Sequence, residues 1–184
     1  EWENDPAAML ATVNRMLSRD LESNRFVTLL VVCLDPAKRR LCYANAGHVP
    51  GILLDPDGAV KLSLSGTGLP LGVMPEGTYS RVRCELSEGD TVAMFTDGVT
   101  EASSPGGEFF EHARALRVVQ SHRHEPADSI VQQLHRACLD FVGDGPVSDD
   151  FAAVVCKLVS RTSADVPPRR GDGKRTDRWA WRRE

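Results

Sequence analysis

Between Phe26 and Phe95 short turn signals cut the chain repeatedly into β-rich apolar runs, and this pattern restricts the fold more than any other feature of the sequence. The run Phe26–Leu34 is almost wholly apolar, as expected of a strand buried on both faces. Asp35-Pro36 opens a turn, and Arg40–Ala44 reads as the returning strand of a hairpin. Gly51–Leu54 and Ala59–Leu64 flank Asp55-Pro56-Asp57-Gly58, a strong turn signal. Tyr79–Leu86 alternates, which puts Val82, Cys84 and Leu86 on one face. After the turn Ser87-Glu88-Gly89-Asp90, the run Thr91–Phe95 is a second buried strand. Connections this short join antiparallel neighbours, because a parallel pair needs a long crossover.

Helical periodicity brackets these runs. Asp5-Pro6 supplies an N-cap acid and a proline at the first helical position. Met9, Val13, Met16, Leu17 and Leu21 then recur at helical steps, predicting a helix over 6–22 that ends at Ser23-Asn24. Glu108–Ser121 reads as a second helix through Phe109, Ala113, Leu116 and Val119 or Gln120. Pro126–Val142 reads as a third, with Ile130, Leu134, Ala137 and Phe141 in one stripe. Phe151–Val159 is a closing apolar strand after a loop over Gly143–Ser148. The expected fold is α+β, a largely antiparallel sheet flanked by helices, over residues 1–159. Residues 160–184 carry eight basic and four acidic side chains with little to build a core, and are expected to be a disordered basic tail. That leaves a net charge of −8 on residues 1–159, an acidic body suited to cations and unlike a nucleic-acid surface.

A hydrophobic content of 41% with 26% charged residues is that of a soluble globular protein. No run approaches the roughly 20 apolar residues of a membrane helix. The chain begins at Glu1 rather than Met and is expected to continue a longer parent. Its five cysteines form no CxxC pair, and four sit in apolar runs. They are expected to be reduced and structural, in a cytoplasmic protein whose parent is anchored, if at all, by segments before Glu1.

Two acidic clusters lie at the edges of buried strands: Asp97-Gly98-Val99-Thr100-Glu101 after Thr91–Phe95, and Ser148-Asp149-Asp150 before Phe151–Val159. Spacing alone allows two readings. These acids are turn and cap residues, or they converge as oxygen ligands for a hard cation such as Mg²⁺ or Mn²⁺.

The surrounding motifs bear on that choice. Pro6–Leu17, Phe26-Val27-Thr28-Leu29, Tyr43-Ala44-Asn45-Ala46-Gly47-His48 and Gly68-Leu69-Pro70-Leu71-Gly72 occur in order. Gly89-Asp90, Phe95-Thr96-Asp97-Gly98-Val99-Thr100-Glu101-Ala102 and Asp149-Asp150 follow. Together the chain resembles the bacterial SpoIIE-like branch of the PPM (type 2C) metal-dependent serine/threonine protein phosphatases. The resemblance implies a β-sandwich flanked by helices with two divalent cations, Mn²⁺ or Mg²⁺, at one end. It implies that water held between the metals attacks a phosphoserine or phosphothreonine directly. It assigns Asp97 and Asp149 as metal ligands, with Asp150, Gly98 and Glu101 in a supporting shell.

The family's earlier acidic motifs do not occur in this chain, so the 184 residues alone are expected to be inactive. By resemblance the substrate is a phosphorylated protein, an anti-anti-sigma-type regulator in a partner-switching pathway, and a sensory domain is expected upstream. The competing expectation is a non-catalytic pseudophosphatase domain that binds a signalling partner. Two groups of histidines are set aside. His48 is read as shaping a turn beside Gly47, and His112, His122, His124 and His135 as solvent-exposed rather than zinc ligands.

Overall fold

The computed structural model describes residues 5–22, 24–145 and 149–159. The elements are α1 (Pro6–Asp20), β1 (Leu29–Asp35), β2 (Arg40–Ala46), β3 (Gly51–Leu54), β4 (Val60–Leu64), β5 (Val82–Glu85), β6 (Thr91–Phe95), α2 (Asp97–Thr100), α3 (Glu111–Ser121), α4 (Ala127–Val142) and β7 (Ala153–Lys157). The strands form two antiparallel sheets, ordered β1-β2-β5 and β4-β3-β6-β7. The expected tail, and Ser23 and Ser148, lie outside the described residues.

Alternation along the strands stacks four layers. Leu41 and Tyr43 of β2 meet Leu53 of β3, Leu64 of β4 and Val92 of β6 between the sheets. The opposite face of β2, with Ala44 and Ala46, packs against Leu10 of α1 and Leu71. The opposite faces of β3 and β6, with Ile52, Leu54, Ala93 and Phe95, pack against Val119 of α3 and Ile130 and Leu134 of α4. β3 and β6 are therefore buried on both sides, which is why they read as continuous apolar runs.

Three expectations need correction. β1 begins at Leu29 rather than Phe26 and is half-buried at the edge of its sheet, not covered on both faces. Phe26 stays 60% exposed, because Val27 leaves the sheet to exchange backbone bonds with Leu71 of 3.0 and 2.8 Å. In α1 the buried line is Leu10 and Asn14, with Val13 and Leu17 packed alongside, while Met9 and Met16 face outward. Asn14 is the reason: its Oδ1 accepts from the Gly72 N–H at 2.8 Å, and its Nδ2 donates to the Met74 and Pro75 carbonyls at 2.8 and 3.2 Å. A polar residue that satisfies three backbone groups is worth burying, although periodicity counts it as surface. In α3 the buried positions are Ala115 and Val119, with Phe110 inward and Phe109 and Ala113 exposed.

Candidate metal centre

β6 and β7 run antiparallel with Phe95 opposite Ala153, so the end of one strand meets the start of the other. The acids that follow β6 and precede β7 therefore emerge at the same edge of the second sheet. Thr96 splices the two segments. Its N–H donates to the Ala152 carbonyl at 3.0 Å, and its Oγ1 donates to the Asp150 carbonyl and accepts from the Ala152 N–H, both at 3.1 Å.

Asp97 opens the single-turn helix α2, closed by the Glu101 N–H on the Asp97 carbonyl at 2.7 Å. Gly98 lies directly against the other strand: a Cβ placed there would collide with the Asp150 carbonyl oxygen. Only a residue without a side chain lets the two turns approach this closely. Asp97 and Asp149 each use one carboxylate oxygen locally, Asp97 Oδ1 on its neighbour's N–H at 3.1 Å and Asp149 Oδ1 likewise at 2.7 Å. Among the described residues, the second oxygen of each has no hydrogen-bond partner. Asp97, Asp149, Asp150 and Glu101 are all exposed. α2 is held from below by Val99, which is fully buried, and by the Cys138 thiol of α4, whose Sγ lies 4.0 Å from the Val99 carbonyl. Burial pushes that thiol up to about 11.

The structure thus brings together the segments bearing Asp97, Gly98, Asp149 and Asp150, and leaves Glu101 at the far end of α2. Exposed carboxylates on adjoining turns are hard oxygen donors, the chemistry a divalent cation takes, and they fit part of such a site. Among the described residues no group of three His, Cys, Asp or Glu side chains could hold a metal ion.

The histidines lie elsewhere in role. His48 donates its N–H to Asn45 Oδ1 at 2.8 Å and meets Thr28 Oγ1 at 3.1 Å, beside Gly47 at φ +68°, which fits a turn-shaping residue. His112 and His122 are half-buried rather than exposed. Each holds a backbone carbonyl, Pro50 at 3.0 Å and Val118 at 2.9 Å, while His124 and His135 are exposed.

A residue that spacing did not single out is Asp90. It is 1% exposed, and its Oδ2 accepts from Lys61 Nζ and the Ser87 N–H, both at 2.8 Å. The Gly89-Asp90 motif also exchanges backbone bonds with Leu158 of 2.7 and 2.9 Å, locking the far end of β7.

Two facing sheets with α1 on one outer face and α3 and α4 on the other, and acids at one strand-end edge, define a type 2C phosphatase domain fold. The solved SiaA-PP2C domain of Pseudomonas aeruginosa superposes with a TM-score of 0.71 at 23% identity, covering 83% of this chain and 61% of that one. The phosphatase domain of SpoIIE from Bacillus subtilis superposes at 0.64 with 22% identity, covering 91% and 72%. The chain belongs to the family of stage II sporulation protein E (SpoIIE), whose sequence model matches residues 1–159. It is 27% identical over 152 residues to the phosphoserine phosphatase RsbU of Bacillus subtilis, 83% of this chain and 45% of that protein. The chain thus spans less than half the length of that relative.

Proposed function

We propose that this chain supplies part of the metal site of a protein phosphatase that removes phosphate from serine or threonine of a regulatory protein. The observation that carries the reading is the approach of Gly98 to the Asp150 carbonyl, which joins the Asp97 and Asp149 turns within a chain of the SpoIIE family. Asp97 and Asp149 would hold one cation, Mn²⁺ or Mg²⁺, of a pair. Divalent cations bound there would supply an activated water and neutralise the phosphoryl oxygens. The residues of this chain orient the ligands: Thr96 ties the two turns, Gly98 sets their gap, and Asp150 and Glu101 stand at the perimeter.

RsbU is a phosphoserine phosphatase by name, which supports a phosphorylated protein substrate; the family resemblance extends the proposal to a regulator of the anti-anti-sigma type in a partner-switching pathway. The remaining assignments are part of the same proposal: a phosphatase portion over 1–159, a basic tail over 160–184, an upstream sensory domain and a cytoplasmic setting. Among the described residues no helix is long and apolar enough to cross a membrane.

Two carboxylates without a third ligand among the described residues bind Mg²⁺ or Mn²⁺ weakly. The 184 residues alone are therefore proposed to be inactive. A second reading, a non-catalytic domain that binds a signalling partner, is opposed by the presence of Asp97 and Asp149. Phosphate release from a phosphoserine peptide with Mn²⁺ separates the cases. The full-length protein releases phosphate and the 184-residue chain does not; release by the short chain overturns the incomplete site. Silence of the full-length protein favours the non-catalytic domain.

A further inference from the structure

Cys33 of β1 and Cys42 of β2 are direct partners in the β1–β2 ladder. Opposite residues of an antiparallel pair project to the same face, with Cα atoms about 4.5–5.5 Å apart. A disulfide spans Cα separations of about 4.4–6.8 Å, so the backbone spacing of this pair is compatible with a bridge. Both residues are free thiols in the structure. The remaining cysteines are placed differently. Cys84 of β5 aligns with Leu41 and shares its face between the sheets, Cys138 belongs to α4, and Cys156 lies in the other sheet.

The two thiols differ in access. Cys42 is fully buried beneath α1, whereas Cys33 is half-buried on the edge strand. An oxidant in solution therefore reaches Cys33 first, with a second thiol waiting beside it. We propose that Cys33 and Cys42 are a modification site, closing to a reversible intrachain disulfide when the protein meets a hydroperoxide.

The Cys33 sulfur attacks the peroxide, the O–O bond breaks, and the alcohol (or water, from hydrogen peroxide) leaves, giving a sulfenic acid on Cys33. The Cys42 sulfur then attacks the Cys33 sulfur, the S–O bond breaks, and water departs with the Cys42 proton. Two thiols lose two electrons, and the peroxide gains them. Burial raises the Cys33 thiol, with Asp5 adding to the effect, and burial raises the Cys42 thiol as well. A protonated thiol is a poor nucleophile, so the pair stays reduced under ordinary conditions and responds to sustained oxidant. Once closed, the bridge fastens the edge strand β1 to the central strand β2.

The test uses the whole 184-residue chain, treated with hydrogen peroxide, unfolded and alkylated. Of the five thiols, three are expected to react after oxidation. The mass should fall by about 2 Da before alkylation. Non-reducing peptide mapping should join the Cys33 and Cys42 peptides, and dithiothreitol should restore all five thiols. Oxidation should also raise the Tm by several degrees, an increase absent in Cys33→Ser. Five reactive thiols after treatment, a bridge between other cysteines, a disulfide-linked dimer, or Cys33 halted as sulfinic acid would each overturn the proposal.

Discussion

The β6–β7 ladder carries aspartates at both ends, and the two ends treat them in opposite ways. At the Thr91–Lys157 end, Asp90 is buried, bonded to Lys61 and the Ser87 N–H, and locked to Leu158 through its backbone. At the Phe95–Ala153 end, Asp97 and Asp149 are exposed, and among the described residues their carboxylates accept only from the next residue's N–H. A carboxylate with a cation partner already in the fold acts as a fastener. Carboxylates gathered on rigid backbone without one repel each other, and a soluble cation relieves that repulsion. Under the proposed metal reading, the ladder separates stability from ligand binding along a single pair of strands.

Substitutions at the two ends should have effects that cross over, and the largest is expected at the exposed end. In the full-length protein, Asp97→Asn or Asp149→Asn should lower phosphopeptide hydrolysis by at least about 100-fold while leaving the far-ultraviolet circular dichroism unchanged. Equal activity in either variant would break the comparison.

Alkali should loosen the floor beneath the exposed end. The Cys138 thiol ionises near 9 when unfolded and is raised to about 11 by burial in the fold. Between those values the unfolded chain binds fewer protons than the folded one, so stability is intact below pH 9 and falls as pH rises to 11. The loss should reach up to about 3 kcal/mol, read from urea midpoints, and should shrink in Cys138→Ala. At the fastened end, Asp90→Ala should cost about 2 kcal/mol by stranding the Ser87 N–H and Lys61, with no change in Mn²⁺ affinity measured by calorimetry. Gly98→Ala should cost about 1–2 kcal/mol, because the added methyl must push the Asp150 carbonyl away, and it should weaken Mn²⁺ binding together with stability. The smallest effect is Asp97→Ala on the stability of the metal-free chain, expected within about 0.5 kcal/mol at this exposed position. A larger loss would show that Asp97 is itself a fastener.

Local signals were sufficient for most of the architecture. Asp5-Pro6 starts α1, Asp55–Gly58 turns the β3–β4 hairpin, and Thr91–Phe95 is β6, each as the residues alone indicate. The misread segments share a cause, since tertiary partners decided what periodicity could not. Phe26 and Val27 look like strand interior, but Leu71 draws Val27 out of register. Asn14 looks like surface until the Gly72–Pro75 loop supplies its partners. The acids at 97 and 149 were visible as a pair because each adjoins an apolar run. The contact between Gly98 and the Asp150 carbonyl depends on strand pairing across half a hundred residues and had no local trace. Asp90 could have been suspected from its place just before a buried strand, where a turn carboxylate can fold inward to a lysine.

Position 98 fixes the gap between the acids with main-chain atoms alone. No side chain can shim that gap in finer steps, so selection has few ways to retune it. If the proposed site holds a cation, inherited variation in its preference would have to come from the reach of the acids themselves, an Asp exchanged for the longer Glu, or from the backbone that carries them.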